Sequence, residues 1–251
     1  KMLLTVKNLC KEFDGLHAVN SVNFSVELGT ITGLIGPNGA GKTTTFNIIA
    51  GHDSPTSGAV FFGKQEISGM KPYETFHLGI VRTFQIPRPF SGMTVLENMM
   101  MVPGSQLGEN LWNNWVRLKQ VKRQEATNRE KALEILEFLK LAALRDEPSM
   151  HLSGGQLKLL ELGRAMMSKP RMILLDEPAA GVNPVLLEEI IDRIREINEM
   201  GVTFLIIEHN MDLIMKLCSP ILVMVEGSIM MQGSPEQVRS DKRLLDAFFG
   251  E

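Results

Sequence analysis

One stretch near the start of the chain has the residue types and spacing for phosphate chemistry. Gly36-Pro37-Asn38-Gly39-Ala40-Gly41-Lys42-Thr43 fits the pattern G-x-x-x-x-G-K-[ST]. Glycines let successive backbone N–H groups of Asn38, Gly39, Ala40 and Gly41 turn toward one point and form an anion nest. A helix starting at Lys42 adds the positive end of its dipole. Lys42 would neutralise the β- and γ-phosphates of a nucleotide, Thr43 would offer its hydroxyl to Mg²⁺, and Thr44 would reach the α-phosphate. The bland alternative, a glycine-rich turn capping a helix, does not account for the compact apolar run Ile31–Ile35 before the loop.

A second site lies much later. Met172-Ile173-Leu174-Leu175-Asp176-Glu177-Pro178 is an apolar run ending in two carboxylates. Ligands of a parallel sheet sit at the carboxyl ends of its strands. Asp176 would bind Mg²⁺, directly or through water, and Glu177 would polarise an attacking water as general base. Neighbouring side chains on a strand point to opposite faces, which suits two roles better than one shared role.

These residues need elements to hold them, and the hydrophobic pattern supplies a set. Leu3–Val6 and Ser21–Val26 alternate as strands of an antiparallel, half-exposed layer. Ile31–Ile35, Ala59–Phe62, Met172–Leu175, Val202–Ile207, Ile221–Val225 and Ser228–Met231 read as strands, the last two joined by a turn at Glu226-Gly227. Lys42–Ala50, Gln156–Ser168 with Ser153 near its start, and Val185–Met200 read as helices, and Ser234-Pro235-Glu236 opens a short terminal one. Thr94–Leu144 has a helical texture, including a stripe at Ala132, Ile135, Leu136 and Leu139. Alternating strands and helices imply a parallel sheet covered by helices. The expected organisation is one domain over 1–251. Its α/β nucleotide-binding core comprises 1–90 and 154–251, and a helical subdomain spans 91–153.

Composition narrows the class. The chain has 251 residues, 44% hydrophobic and 22% charged, as in ordinary globular proteins. A net charge of −3 disfavours a general nucleic-acid binder. Cys10 and Cys218 are far apart, fit no metal-ligand spacing, and suit a reducing compartment as small hydrophobes. No secretory pattern and no apolar run of about 20 residues is present, so the expected place is the cytoplasm, with any membrane role through a partner.

Leu152-Ser153-Gly154-Gly155-Gln156 adds a third motif. Phosphate loop, then Leu-Ser-Gly-Gly-Gln, then an apolar strand ending Asp-Glu resembles the ATP-binding-cassette (ABC) superfamily over essentially the whole chain. The resemblance implies an α/β P-loop NTPase fold of the ABC type, with a parallel sheet core, an N-terminal antiparallel β layer and an inserted helical subdomain. It implies ATP and Mg²⁺ as cofactors and a second ABC ATPase subunit, identical or different, facing this one. Ser153, Gly154 and Gly155 would then touch the γ-phosphate held by that second subunit. Gln85, in Arg82-Thr83-Phe84-Gln85, is similar to the glutamine that joins Mg²⁺ and senses a membrane partner. His209, in Ile206-Ile207-Glu208-His209, resembles the switch histidine that contacts the γ-phosphate and orients the water. Phe13 resembles the aromatic residue that stacks on adenine, with Val19 packing nearby, although a plain core role for Phe13 stays open. Many cassettes read Ser-Ala-Leu-Asp after the acidic pair, where this chain has Ala179-Ala180-Gly181-Val182-Asn183. Asn183 can hydrogen-bond across a dimer but carries no charge.

Ala179–Pro184, Val81–Gln85, Glu208–Met211 and the ending Ala247–Glu251 together resemble the branched-chain amino-acid uptake branch. A helical insertion over 104–127 resembles the first of that system's two ATPase subunits. The implied function is an ATP-hydrolysing subunit of a membrane importer, peripheral on the cytoplasmic face, with membrane-spanning permeases and, indirectly, an extracytoplasmic solute-binding protein as partners. Urea, short amides or other amino acids remain as alternative solutes. A non-transport ABC ATPase is a further alternative, disfavoured because neither coiled-coil arms nor a second cassette is present. Trp112 and Trp115 suit either a partner surface or packing under the insertion.

Overall fold

The computed structural model describes residues 1–83, 89–104 and 118–241. By its contacts the chain divides into two compact units. The first comprises Lys1–Gln85, Arg171–Ala180 and Glu188–Glu251, and the second Ile86–Pro170 and Gly181–Leu187.

In chain order the strands and helices begin with β1 (Met2–Phe13), β2 (Leu16–Glu27), β3 (Ile31–Ile35), α1 (Lys42–Ile49), β4 (Ser57–Phe62), β5 (Gln65–Glu66), α2 (Pro72–His77) and β6 (Ile80–Arg82). Among the described residues three helices follow, α3 (Val95–Met100), α4 (Leu118–Phe138) and α5 (Gly154–Met167). Then come β7 (Met172–Asp176), α6 (Pro184–Glu199), β8 (Thr203–Ile207), α7 (Met211–Leu217), β9 (Ile221–Val225), β10 (Ser228–Gly233) and α8 (Pro235–Ser240).

The described residues of the first unit form two sheets. One is four-stranded in the order β2-β1-β4-β5. Its leading hairpin turns at Asp14-Gly15, where both residues have positive φ, the requirement of a tight two-residue hairpin turn. The other sheet is six-stranded, in the order β10-β9-β3-β8-β7-β6. The pairs β9–β3, β3–β8, β8–β7 and β7–β6 are parallel, and β10 pairs antiparallel with β9. Every residue of β3, β7 and β8 is buried, as a parallel sheet covered on both faces requires. Leu4, Val6 and Val22 from the first sheet share a core with Phe46 and Ile49 of α1 and with Leu34, Leu174 and Leu205 of the second. Because β3, β7 and β8 run the same way, the segments after Ile35, Asp176 and Ile207 leave the sheet at one edge. That edge is where chemistry-bearing residues collect in open α/β sheets.

In the second unit α3, α4 and α5 pack together. Val95, Leu96, Met99, Ala132, Leu136, Leu139, Leu159 and Leu162 are buried there. Capping boxes start two of the helices, Thr94 with Glu97 and Ser153 with Gln156. The sequence pattern assigns residues from 154 onward to the α/β core, whereas α5 groups by its contacts with the second unit. Helix α5 is amphipathic on its own and gives no signal of which partners cover it. Among the described residues, the helical texture from Thr94 includes α3, α4 and a 3-10 turn at Ala142–Leu144. Trp112, Trp115 and the ending Ala247–Glu251 lie outside the described residues. Cys10 and Cys218 are both free thiols, and Cys218 is buried.

Candidate functional site

The loop Gly36–Gly41 joins the end of β3 to the start of α1. Gly41 is the N-cap, with φ 95°, and no side chain caps the helix. A Cβ at Gly41 would stand 2.3 Å from the carbonyl oxygen of Ala18, so glycine is demanded by both backbone angle and space. Ala40 O accepts from Gly227 N at 3.2 Å, and Gly227 O accepts from Asn20 N at 2.7 Å. The loop is thus braced by β2 on one side and the β9–β10 turn on the other. An N-terminus of this kind presents its first-turn N–H groups to an anion. Among the loop residues, Asn38 and Gly39 are exposed and Ala40 is buried.

Lys42 is 6% exposed. Its Nζ donates to the carbonyl oxygens of Gly36 at 2.7 Å and Pro37 at 2.9 Å. Burial pushes its pKa below the ordinary lysine value, and the nearby Glu177 and Asp176 carboxylates oppose that shift. Thr43 is exposed and Thr44 partly so.

Asp176 ends β7 and is 9% exposed. Its Oδ2 accepts from the Arg82 guanidinium at 2.9 Å. The same guanidinium donates to Asn47 Oδ1 at 2.6 Å, and Asn47 donates in turn to Asp53 at 2.8 Å. Arg82 ends β6, and the β6–β7 register sets Arg82 beside Leu174. The sequence pattern points to neither Arg82 nor Asn47, because their partners lie far apart in the chain.

Glu177 lies one residue beyond β7 with φ 49°. A non-glycine residue in this region carries strain of about 1–3 kcal/mol, which collects at functional sites. Its backbone N–H is tied to Ile207 O at 2.9 Å. Its Oε1 lies 3.1 Å from His209 Nε2. Glu177 and His209 therefore meet, as do Lys42, Asp176 and Glu177 in the electrostatics of the lysine.

Phe13 closes β1 and is 43% exposed, with Lys11 Nζ 4.7 Å from its ring centroid. A half-exposed ring keeps a surface for a planar group to stack on. Val19 is fully buried and pairs with Lys11 across the hairpin. Gln85 lies outside the described residues. In the second unit Ser153 caps α5, its Oγ accepting from Gln156 N at 3.3 Å. Ser153 and Gly154 are exposed. A Cβ on Gly155 would collide with Leu186 Cδ2 at 1.8 Å, so a glycine is required beneath that side chain. Asn183 serves locally: its Oδ1 accepts from Leu186 N at 2.9 Å and caps α6.

The first unit's donor set fits a nucleoside triphosphate. A buried cation and an uncapped helix start suit anionic oxygens, and a carboxylate and a threonine hydroxyl are hard oxygen ligands of the kind Mg²⁺ takes. Among the described residues no group of three or more His, Cys, Asp or Glu is arranged to hold a metal. Mg²⁺ commonly takes only one or two carboxylates and draws its other ligands from phosphates and water.

Fold and site together define a P-loop ATPase of the cassette type. The chain belongs to the ABC transporter family, whose model matches residues 19–180. It is 45% identical over 99% of its length to a protein of Archaeoglobus fulgidus named as a probable branched-chain amino acid transport ATP-binding protein, LivG, covering 95% of that relative. It is 37% identical to the high-affinity LivG of Escherichia coli K12, covering 99% of this chain and 98% of the relative. Among solved structures, a nucleotide-free ATP-binding cassette from an ABC transporter matches with TM-score 0.86 at 41% identity, covering 100% of both chains. An ATP-binding cassette of an ABC transporter solved in its ADP conformation matches with the same TM-score of 0.86 at 40% identity, also covering 100% of both.

Proposed function

We propose that the chain is the ATP-hydrolysing subunit of an importer for branched-chain amino acids, working on the cytoplasmic face of a membrane. The observation that carries the reading is the meeting of Glu177 and His209, 3.1 Å apart, beside the phosphate loop and its buried Lys42. The LivG names of relatives matched over nearly the whole chain support the solute class. No helix among the described residues is long and apolar enough to cross a membrane, so transport requires permease subunits. A solute-binding protein would deliver the cargo outside.

The chain's residues divide the work. Loop N–H groups and Lys42 would hold the β- and γ-phosphates, and Phe13 would stack on the adenine, with Val19 shaping the strand beneath. Glu177 would take a proton from the attacking water, and His209 would hold that water and the γ-phosphate in line. Bound Mg²⁺ would be held by Thr43, Asp176 and Gln85 and would neutralise charge on the phosphate oxygens. Ser153, Gly154 and Gly155 would reach the γ-phosphate held by a facing ATPase subunit. Residues 91–153, the helical subdomain, would pass opening and closing to the permeases. Nucleotide thus biases a two-state equilibrium between open and closed pairs.

Glu177→Gln keeps the shape and removes the base. The expected result is loss of turnover with ATP binding retained, and an ATP-bound dimer on gel filtration. A variant that hydrolyses ATP at the wild-type rate would remove Glu177 from the role of base.

A further inference from the structure

Glu208 is 3% exposed and is left without a role by the reading above. It lies between β8 and α7, next to His209. Its Oε1 accepts from Ala179 N at 2.6 Å. Its Oε2 accepts from His209 N at 2.7 Å and from Asn210 N at 2.8 Å. All three donors are backbone N–H groups, and they come from two segments of the chain. Ala179 belongs to the turn that follows Glu177, closed by Ala180 N donating to Glu177 O at 3.1 Å. Asn210 caps α7, its Oδ1 accepting from Leu213 N at 3.0 Å.

We propose that Glu208 is a positioning residue: a buried carboxylate strap that locks the turn after Glu177 to the loop carrying His209, so that base and histidine keep their register. Three fastenings then join the ends of β7 and β8. Glu177 N holds Ile207 O, the Glu208 carboxylate holds Ala179 N, and the Glu177 carboxylate meets His209 Nε2. The strap answers a specific need. Glu177 sits at a positive φ that its own residue type disfavours, so the turn after it must be held from outside. An ionised carboxylate does this with charge-assisted bonds, stronger than those of a neutral amide. Glutamine cannot replace it. One of its two head atoms becomes a donor and faces an N–H, leaving Ala179 N or the His209–Asn210 pair without an acceptor.

The inference rests on the reading of Glu177 and His209 as hydrolytic residues, and its test separates the two. In the full chain, Glu208→Gln is expected to lower kcat by about tenfold, the loss of one such bond, with ATP affinity within about twofold of wild type. Amide hydrogen exchange should quicken in both segments, 176–183 and 207–212, without a comparable rise elsewhere. In a His209→Ala background the same substitution should add little, because the register it protects has lost one member. Glu208→Asp, which keeps the charge on a shorter reach, should also lower kcat and loosen the turn at Ala179, covering the case in which the glutamine variant does not fold. Wild-type kcat in Glu208→Gln, quickened exchange confined to 207–212, or a full tenfold loss persisting with His209→Ala would each overturn the strap. Wild-type hydrolysis by both Glu177→Gln and His209→Ala would instead overturn the underlying reading.

Discussion

Lys42 is held where water is scarce, and the consequence is measurable. Burial lowers its pKa below 10.5, and the protonated form is the one that grips phosphate. A bound polyanion favours that form and raises the pKa again, so binding and protonation are linked. ATP affinity should therefore hold at neutral pH and fall as pH rises through the lowered pKa of the free protein, with a midpoint below the ordinary lysine value. Lys42→Arg, whose guanidinium stays charged, should move that fall to higher pH or remove it. Titration of fluorescent ATP-analogue binding against pH reads both, and a midpoint at or above 10.5 would contradict the burial effect. Arg82 presents the complementary case of a buried ion pair with Asp176 at 2.9 Å. Removing one partner strands the other charge, so Arg82→Ala should cost about 3 kcal/mol in urea unfolding. Asp176→Asn in the same background should return part of that stability. At this scale the sequence was legible where a motif concentrates its residues, as in Gly36–Thr43. It was silent on Arg82, Asn47 and Glu208, whose partners are 94, 35 and 29 residues away and are set by the tertiary fold.

Elements were legible where local pattern and tertiary demand coincide. Strands β3, β7, β8 and β9 follow from largely apolar runs of the kind a doubly covered sheet accommodates. Strands β5 and β6, with two and three residues, and the six-residue helix α2 are too short for any period to register. The strand expected over Leu3–Val6 continues to Phe13 through several register shifts, because bulges break the alternation that would have marked its second half. Asn183 shows local geometry deciding a residue's use. The sequence leaves it able to hydrogen-bond across a dimer without charge; within the chain its Oδ1 caps α6, followed by Pro184 at the first helical position. Asn183→Ala should therefore cost about 1 kcal/mol of stability whether or not a second subunit is present. Asn183→Asp should keep the cap, its carboxylate still accepting from Leu186 N. Equal stability of the alanine variant and wild type in denaturant titration would show that the cap contributes nothing.

At the scale of the whole molecule, the residues proposed for the chemistry divide between those the chain's own fold gathers and those it leaves facing outward. Lys42, Asp176, Glu177 and His209 collect in the first unit, while Ser153 and Gly154 are exposed at the start of α5 in the second. A serine hydroxyl at a helix N-terminus suits an anion, and a facing copy of the chain would supply one. In a two-fold pair each site would take its lysine from one copy and its serine from the other. Lys42→Ala and Ser153→Arg chains should each be inactive in ATP hydrolysis when pure. Mixed in equal amounts, they form heterodimers in which one site has both wild-type halves. Half the dimers with one of two sites intact gives about a quarter of wild-type activity, provided pairing is random and sites act independently. Activity of the mixture should also fall faster than linearly on dilution, because the pair dissociates. A Ser153→Arg chain that hydrolyses ATP normally by itself, or a mixture no more active than its components, would rule out the shared site between copies of this chain.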